Sequence, residues 1–172
     1  LTGIYNRRYL DSRLTEEIER SRRHGNPLSV MMLDIDHFKR LNDQHGHMLG
    51  DKVLIRLARL IEETVRGQDV PARFGGEEFV ILLPNTQLEG AVALAEKLRA
   101  RIESGCHDLL SGEICMVTAS IGCAEYSASQ KDLQTLIKHA DRALYRAKAM
   151  GRNRVEPPYS PDPLVQVELE VA

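Results

Sequence analysis

Two adjacent glycines, Gly75 and Gly76, stand between short apolar runs and are followed at once by two carboxylates, Glu77 and Glu78. A Gly-Gly pair tolerates the positive φ angles of a two-residue primed turn, so Pro71 to Phe74 and Phe79 to Leu83 are expected to pair as antiparallel strands. Missing side chains at the turn also let a bulky ligand approach the backbone. Two anions at the exposed tip of a hairpin add nothing to stability by themselves. They suit a hard divalent cation, although an ordinary solvated hairpin can be spelled with the same letters. The choice between these readings depends on what the rest of the chain brings to that tip.

A run of mostly apolar residues from Leu28 to Leu33 reads as a strand buried on both faces, and it ends at Asp34-Ile35-Asp36. Upstream, Asn6 is placed to cap a helix carrying Leu10, Leu14 and Ile18, which Gly25-Asn26-Pro27 stops. Downstream, a short helical turn through Phe38 to Leu41 and a glycine-containing link lead to an amphipathic helix. Its apolar face is Val53, Leu57, Leu60, Ile61 and Val65, and it ends near Arg66. After the hairpin, Thr86 to Glu89 has the capping-box form and opens a helix with Leu88, Val92, Ala95, Leu98 and Ile102 on one side. Ile114 to Ile121 suits a second central strand. A last helix from about Asp132 to Met150 stops at Gly151.

Strand, helix, hairpin, helix, strand, with helices before and after, is an α+β pattern: a ferredoxin-like βαββαβ, palm-type antiparallel sheet with added helices at both ends. Right-handed crossovers bring the first strand beside the hairpin, so Asp34, Asp36, Glu77 and Glu78 are expected to converge. Such a cluster repels itself unless a cation sits within it. Carboxylates together with substrate phosphates suit Mg²⁺. Two such ions about 3.5–4 Å apart can activate an attacking hydroxyl and neutralise a leaving pyrophosphate, which is the logic of nucleotidyl transfer.

Length and charge narrow the alternatives. The 172 residues fit one domain, expected over residues 1–156, with residues 157–172 a Pro-rich tail expected to be poorly ordered. A net charge of −2 argues against nucleic acid as a partner. No apolar run is long enough to span a bilayer. Three cysteines, Cys106, Cys115 and Cys123, without Cys-x-x-Cys spacing, point to buried thiols in a reducing, cytoplasmic setting. A start at Leu1 rather than Met suggests a piece of something longer, with a sensory or regulatory domain or a membrane anchor ahead of it. His37, His45 and His47 lack the partners that would complete a tetrahedral zinc site. Arg142, Arg146, Lys148, Arg152 and Arg154 cluster without an intervening acid, either as a solvated helix face or as a phosphate site.

These motifs together resemble the GGDEF domain, the catalytic unit of diguanylate cyclases, here in its GGEEF form. The likeness runs in order from Leu1-Thr2-Gly3-Ile4-Tyr5-Asn6-Arg7-Arg8 through Asp34-Ile35-Asp36-His37-Phe38-Lys39, Asn42-Asp43, Gly46-His47, Gly50-Asp51 and Gly75-Gly76-Glu77-Glu78-Phe79. It continues to Tyr145-Arg146-Ala147-Lys148 and Gly151-Arg152-Asn153-Arg154. The resemblance implies that two GTP molecules are condensed into cyclic di-GMP by a homodimer, with Mg²⁺, two per site, or Mn²⁺ in its place. It implies Asp34, the Ile35 carbonyl and Glu77 as metal ligands, Glu77 also organising the attacking 3′-hydroxyl, and Glu78 as a supporting ligand. Asn42 and Asp51 would read guanine with His47 beside them, Gly75 and Gly76 would line the substrate, and Lys39, Lys148 and Arg152 would hold the triphosphate. Arg66 and Asp69, in Arg66-Gly67-Gln68-Asp69, match the motif through which cyclic di-GMP inhibits the family, with Lys97 where an arginine is frequent. The alternative is a non-catalytic receptor of cyclic di-GMP.

Overall fold

The structure, a computed structural model, describes residues 1–105, 116–127 and 133–157. The elements are β1 (Tyr5–Asn6), α1 (Arg7–His24), β2 (Leu28–Ile35), α2 (Phe38–His45), α3 (His47–Thr64), β3 (Val70–Arg73), β4 (Glu78–Pro84), α4 (Leu88–Gly105), β5 (Ala119–Glu125), α5 (Leu133–Ala149) and β6 (Val155–Glu156). They build one sheet in the order β1-β3-β4-β2-β5-β6. β2 pairs antiparallel with β4 on one side and with β5 on the other, while β1 and β6 add short parallel edges. The inner four strands are the ferredoxin-like arrangement expected.

Every residue of β2 is buried, because helices cover both faces of the sheet. Alternate side chains along a strand point to opposite faces. Met31, Leu33 and Ile35 therefore join Phe79, Ile81 and Leu83 under α3 and α4, where Leu57, Ile61, Ala95 and Leu98 close the layer. Leu28, Val30 and Met32 join Val80 and Leu82 on the other face, under Leu10, Leu14 and Ile18 of α1 and Leu136, Ala140 and Leu144 of α5. The α5 backbone comes so close to β5 that a Cβ added to Gly122 would lie 2.1 Å from the Ala140 carbonyl oxygen. Among the described residues no helix is long and apolar enough to cross a membrane.

Several local expectations need correction. Asn6 does cap α1, its side chain accepting from the Tyr9 N–H at 3.0 Å. Thr86 does not cap α4: its hydroxyl donates to the Pro84 carbonyl, and the Leu88 N–H donates instead to Glu125 Oε2 at 2.8 Å. The helix after β2 runs on to His45, and α3 starts at His47 rather than near Val53, broken from α2 by Gly46 at φ 82°. The second central strand begins at Ala119 and ends at Glu125, four residues beyond the expected Ile121. Ile114, Cys115, Cys106, Asp132 and the tail from residue 158 lie outside the described residues. Cys123 is a buried free thiol whose pKa burial pushes up to about 12, consistent with a small hydrophobe.

The hairpin forms, but its turn is not the primed type. Four residues, 74–77, separate β3 from β4, and neither Gly75 nor Gly76 has positive φ. The Phe74 and Gly75 N–H groups both donate to the Glu78 carbonyl, at 2.8 and 3.3 Å. Arg73 closes the loop from within, Nη2 and Nε donating to the Gly76 carbonyl at 2.7 and 3.1 Å. A Cβ at 75 would sit 2.8 Å from Glu78 Oε2, so a larger residue there would push the Glu78 carboxylate to a new position.

Candidate active site

The acidic site grows out of the end of β2. Asp34 lies directly opposite Glu78 in the last rung of the β2–β4 ladder, a spacing of about 4.5–5.5 Å between backbones. Beyond it the Asp36 N–H donates to the Thr118 carbonyl on the β5 side at 2.9 Å. Hydrogen-bonding direction alternates along a strand, so the Ile35 carbonyl faces the other way, towards the loop at Glu77 where the ladder has ended. Asp34 and the signature carboxylates thus meet at one strand end, with the Ile35 carbonyl on the same edge.

Charge behaves there as crowding demands. Burial pushes the Asp34 carboxyl above its usual range, the nearby Lys148 pulls it down, and the charges of Glu77 and Glu78 push it up again. Lys148, from α5, already answers part of that negative charge, its Nζ lying 2.9 Å from Asp34 Oδ2. Asp36 does not join the cluster as expected. Ser120 Oγ and Thr118 Oγ1 each donate to its carboxylate at 2.7 Å, and the Asn153 N–H donates at 3.0 Å, so both of its oxygens are engaged within the protein.

Among the described residues no three His, Cys, Asp or Glu side chains stand close enough to cage a metal unaided. Mg²⁺ keeps water and phosphate among its ligands and needs few protein oxygens. The donors present are hard oxygens with excess negative charge, the set such an ion requires.

The remaining candidates lie on α2, on α3 and on the loops after β3 and α5. Asn42 on α2 packs against Gly50 on α3, the residue before Asp51: a Cβ at 50 would lie 2.0 Å from Asn42 Oδ1. That oxygen is buried and has no hydrogen-bond partner. His47, at the start of α3, is exposed, as are Lys39 on α2 and Arg152 after α5. Space opens beside Gly76, where a Cβ would have nothing within 4 Å. Arg7 lies over the Phe74 ring, 4.3 Å from its centroid, and braces the loop from α1.

Arg66 and Asp69 form a tight turn on the opposite side of β3 from the loop. Asp69 Oδ2 accepts from the Arg66 N–H at 2.7 Å, and the Asp69 N–H donates back to the Arg66 carbonyl at 3.0 Å. The carboxylate is buried, Oδ1 has no partner, and burial raises its pKa against the lowering effect of Arg66. It borders a cleft of about 210 Å³ shared with Arg13, Arg20 and the stacked rings of Tyr5 and Tyr9. Three functional contacts escaped the sequence reading: the Arg73 latch, the Gly50 clearance and the several bonds of Asn153. Only Gly50 carried a signal, a glycine inside a helix beside a candidate carboxylate.

The family model described as "Diguanylate cyclase, GGDEF domain" matches residues 1–154. The chain is 46% identical over 156 residues to the diguanylate cyclase DgcP of Pseudomonas aeruginosa, covering 91% of this chain and 23% of that protein. It is 40% identical over 156 residues to the response regulator PleD of Caulobacter vibrioides, covering 90% and 34% respectively. It therefore spans about a quarter to a third of these relatives. Among solved structures it resembles the active GGEEF domain of a diguanylate cyclase from Vibrio cholerae, with a TM-score of 0.87, 35% identity and coverage of 92% of this chain and 99% of that one. A GGDEF domain of DgcB from Caulobacter crescentus, solved with c-di-GMP, is similar at a TM-score of 0.87 and 32% identity, covering 92% and 91%.

Proposed function

The chain belongs to the GGDEF family of diguanylate cyclase domains, and on that footing we propose that it condenses two GTP into cyclic di-GMP with release of two pyrophosphates. The observation that carries the reading is the meeting of Asp34 with Lys148, and with Glu78 across the ladder, at the end of a strand buried along its whole length. Each 3′-oxygen attacks the α-phosphorus of the opposite GTP, the bond to the β,γ-diphosphate breaks, and the hydroxyl proton passes through Glu77 to solvent. Asp34, the Ile35 carbonyl and Glu77 would hold the divalent ions, Mg²⁺ or Mn²⁺, and Glu78 would support them. When bound, such ions polarise the phosphoryl oxygens and offset the charge of the leaving pyrophosphate.

The protein's own groups do the positioning. Asn42 offers an amide donor and acceptor, and Asp51 a carboxylate, to the edge of guanine; His47 borders them. Lys39, Lys148 and Arg152 hold the triphosphate, and Lys148 has to exchange Asp34 for phosphate to do so. Gly75 and Gly76 leave the backbone open to the substrate. Because one domain holds one GTP, two copies must face each other. The buried, unpartnered Asp69 Oδ1 beside Arg66 supports the inhibitory product site, and Lys97 supplies a point charge where a planar guanidinium is frequent. A cytoplasmic setting and a regulatory domain ahead of Leu1 accompany this reading.

Incubating the protein with GTP and Mg²⁺ and separating the nucleotides tests it. Cyclic di-GMP is expected, with two pyrophosphates for each product. No product at high protein concentration, or when two copies are tethered together, refutes catalysis and leaves a cyclic di-GMP receptor.

A further inference from the structure

Asn153 makes more directed bonds than a loop residue needs. Its Oδ1 accepts from Arg99 Nη1 at 2.9 Å, its Nδ2 donates to Glu103 Oε1 at 2.9 Å, and its main-chain N–H donates to Asp36 Oδ2 at 3.0 Å. Arg99 in turn donates to Glu103 Oε2 at 2.9 Å, so the three side chains close a ring on α4. The Asp36 end is equally fixed, by Thr118 and Ser120 of the β5 segment. One residue thereby ties the loop after α5 to α4 and to the carboxylate of Asp36, two positions beyond Asp34.

The side chain demanded there is narrowly defined. Asn153 sits at φ 46°, a left-handed conformation that asparagine, aspartate and glycine tolerate best. An aspartate could not donate to Glu103 and would set a second carboxylate against it. A glycine could take the angle but could not bridge. Asparagine alone satisfies the angle, the acceptor and the donor together.

The residue immediately before it is Arg152, also left-handed at φ 62°, with its N–H bonded to the Ala147 carbonyl at 3.0 Å. Its guanidinium is exposed and makes no ion pair among the described residues. A long flexible cation on a loop loses rotamer freedom when it grips phosphate, and anchoring its backbone beforehand reduces that cost. We infer that Asn153 is a positioning residue that presents Arg152 to the triphosphate through its ties to α4 and Asp36. The inference rests on the phosphate role proposed for Arg152.

The test compares Asn153→Gly, which keeps the backbone angle and the N–H but removes the bridge, with Arg152→Ala and the double variant. Affinity is measured for 3′-deoxy-GTP, which lacks the attacking hydroxyl, and for GMP, which lacks the outer phosphates. Asn153→Gly is expected to weaken 3′-deoxy-GTP about tenfold and GMP less than about twofold, and to add almost nothing once Arg152 is gone. Additive effects, or equal weakening of both nucleotides, overturn the inference. Should Asn153→Gly fail to fold by circular dichroism, Arg99→Met removes one arm of the ring from the far side and is judged by the same criteria. If Arg152→Ala leaves 3′-deoxy-GTP binding intact, the phosphate role and this inference fall together. Selective loss of 3′-deoxy-GTP in the variants, while the parent protein forms no cyclic di-GMP from GTP, sinks the cyclase reading alone.

Discussion

Replacing Gly122 by alanine should damage the site from behind. The added Cβ would meet the Ala140 carbonyl oxygen at 2.1 Å, the Leu144 nitrogen at 2.2 Å and the Ala143 carbonyl carbon at 2.9 Å, all backbone atoms of α5. No rotamer change relieves a clash with backbone. Ordinary contact begins near 3.4 Å, so helix and strand must part by roughly 1.3 Å or β5 must buckle. Overpacking of this kind costs about 1–3 kcal/mol, visible as a lower urea midpoint with an unchanged slope. The same displacement carries Lys148, one turn beyond Leu144, away from Asp34, a pair now at 2.9 Å. A misplacement of about 1 Å can cost on the order of 10²-fold in rate. The assay is therefore double: denaturation for the fold, and cyclic di-GMP formation at saturating GTP under conditions where the variant is fully folded. A variant as stable and as active as the parent would refute the packing argument.

Other outcomes follow from the same geometry. Glu77→Gln keeps size and polarity but removes the anion, and should lower turnover by at least about 10²-fold with the denaturation midpoint held; full activity removes its assigned role. Gly50→Ala forces the Asn42 amide aside and should reduce the preference for GTP over ITP, measured as the ratio of kcat/KM; an unchanged ratio disconnects Asn42 from base reading. Arg66→Ala should weaken inhibition by added cyclic di-GMP while initial rates stay constant, and identical inhibition curves would dismiss that site. Asp69 keeps its proton to a higher pH when folded than when unfolded, so its ionisation subtracts stability as pH rises past the unfolded carboxylate value of about 3.9. Asp69→Asn, which retains an acceptor for the Arg66 N–H, should raise the midpoint at pH 7 and make no difference in strong acid; a gain confined to low pH would contradict the sign.

The strand that ends at Asp34 is legible because a run from Leu28 to Leu33 has almost no polar residue to expose, and burial on both faces follows. Its neighbour is legible because two glycines between apolar runs make a hairpin whatever the turn type. The turn itself is not, since glycine permits positive φ without requiring it, and here the Arg73 guanidinium and the Glu78 main-chain carbonyl hold the shape. Asp36 looked like a partner of Asp34 by adjacency alone. Its donors Thr118 and Ser120 lie 82 and 84 residues away, and no local pattern announces them. The start of α4 departs for the same reason: the capping box expected Thr86 to serve the Glu89 N–H, whereas the neighbouring Leu88 N–H is served by Glu125, 37 residues downstream.

The reactive end is mounted on the stiffest part of the molecule. A strand gripped by a neighbour on each side and roofed by helices above and below has little room to bend, so a signal cannot readily switch the chemistry by remodelling the acids. In the two-copy arrangement proposed above, what stays adjustable is the placement of one whole unit against another. An input acting on such a domain would do its work as an alignment of two rigid halves, and would be read in their separation and angle before any change inside either.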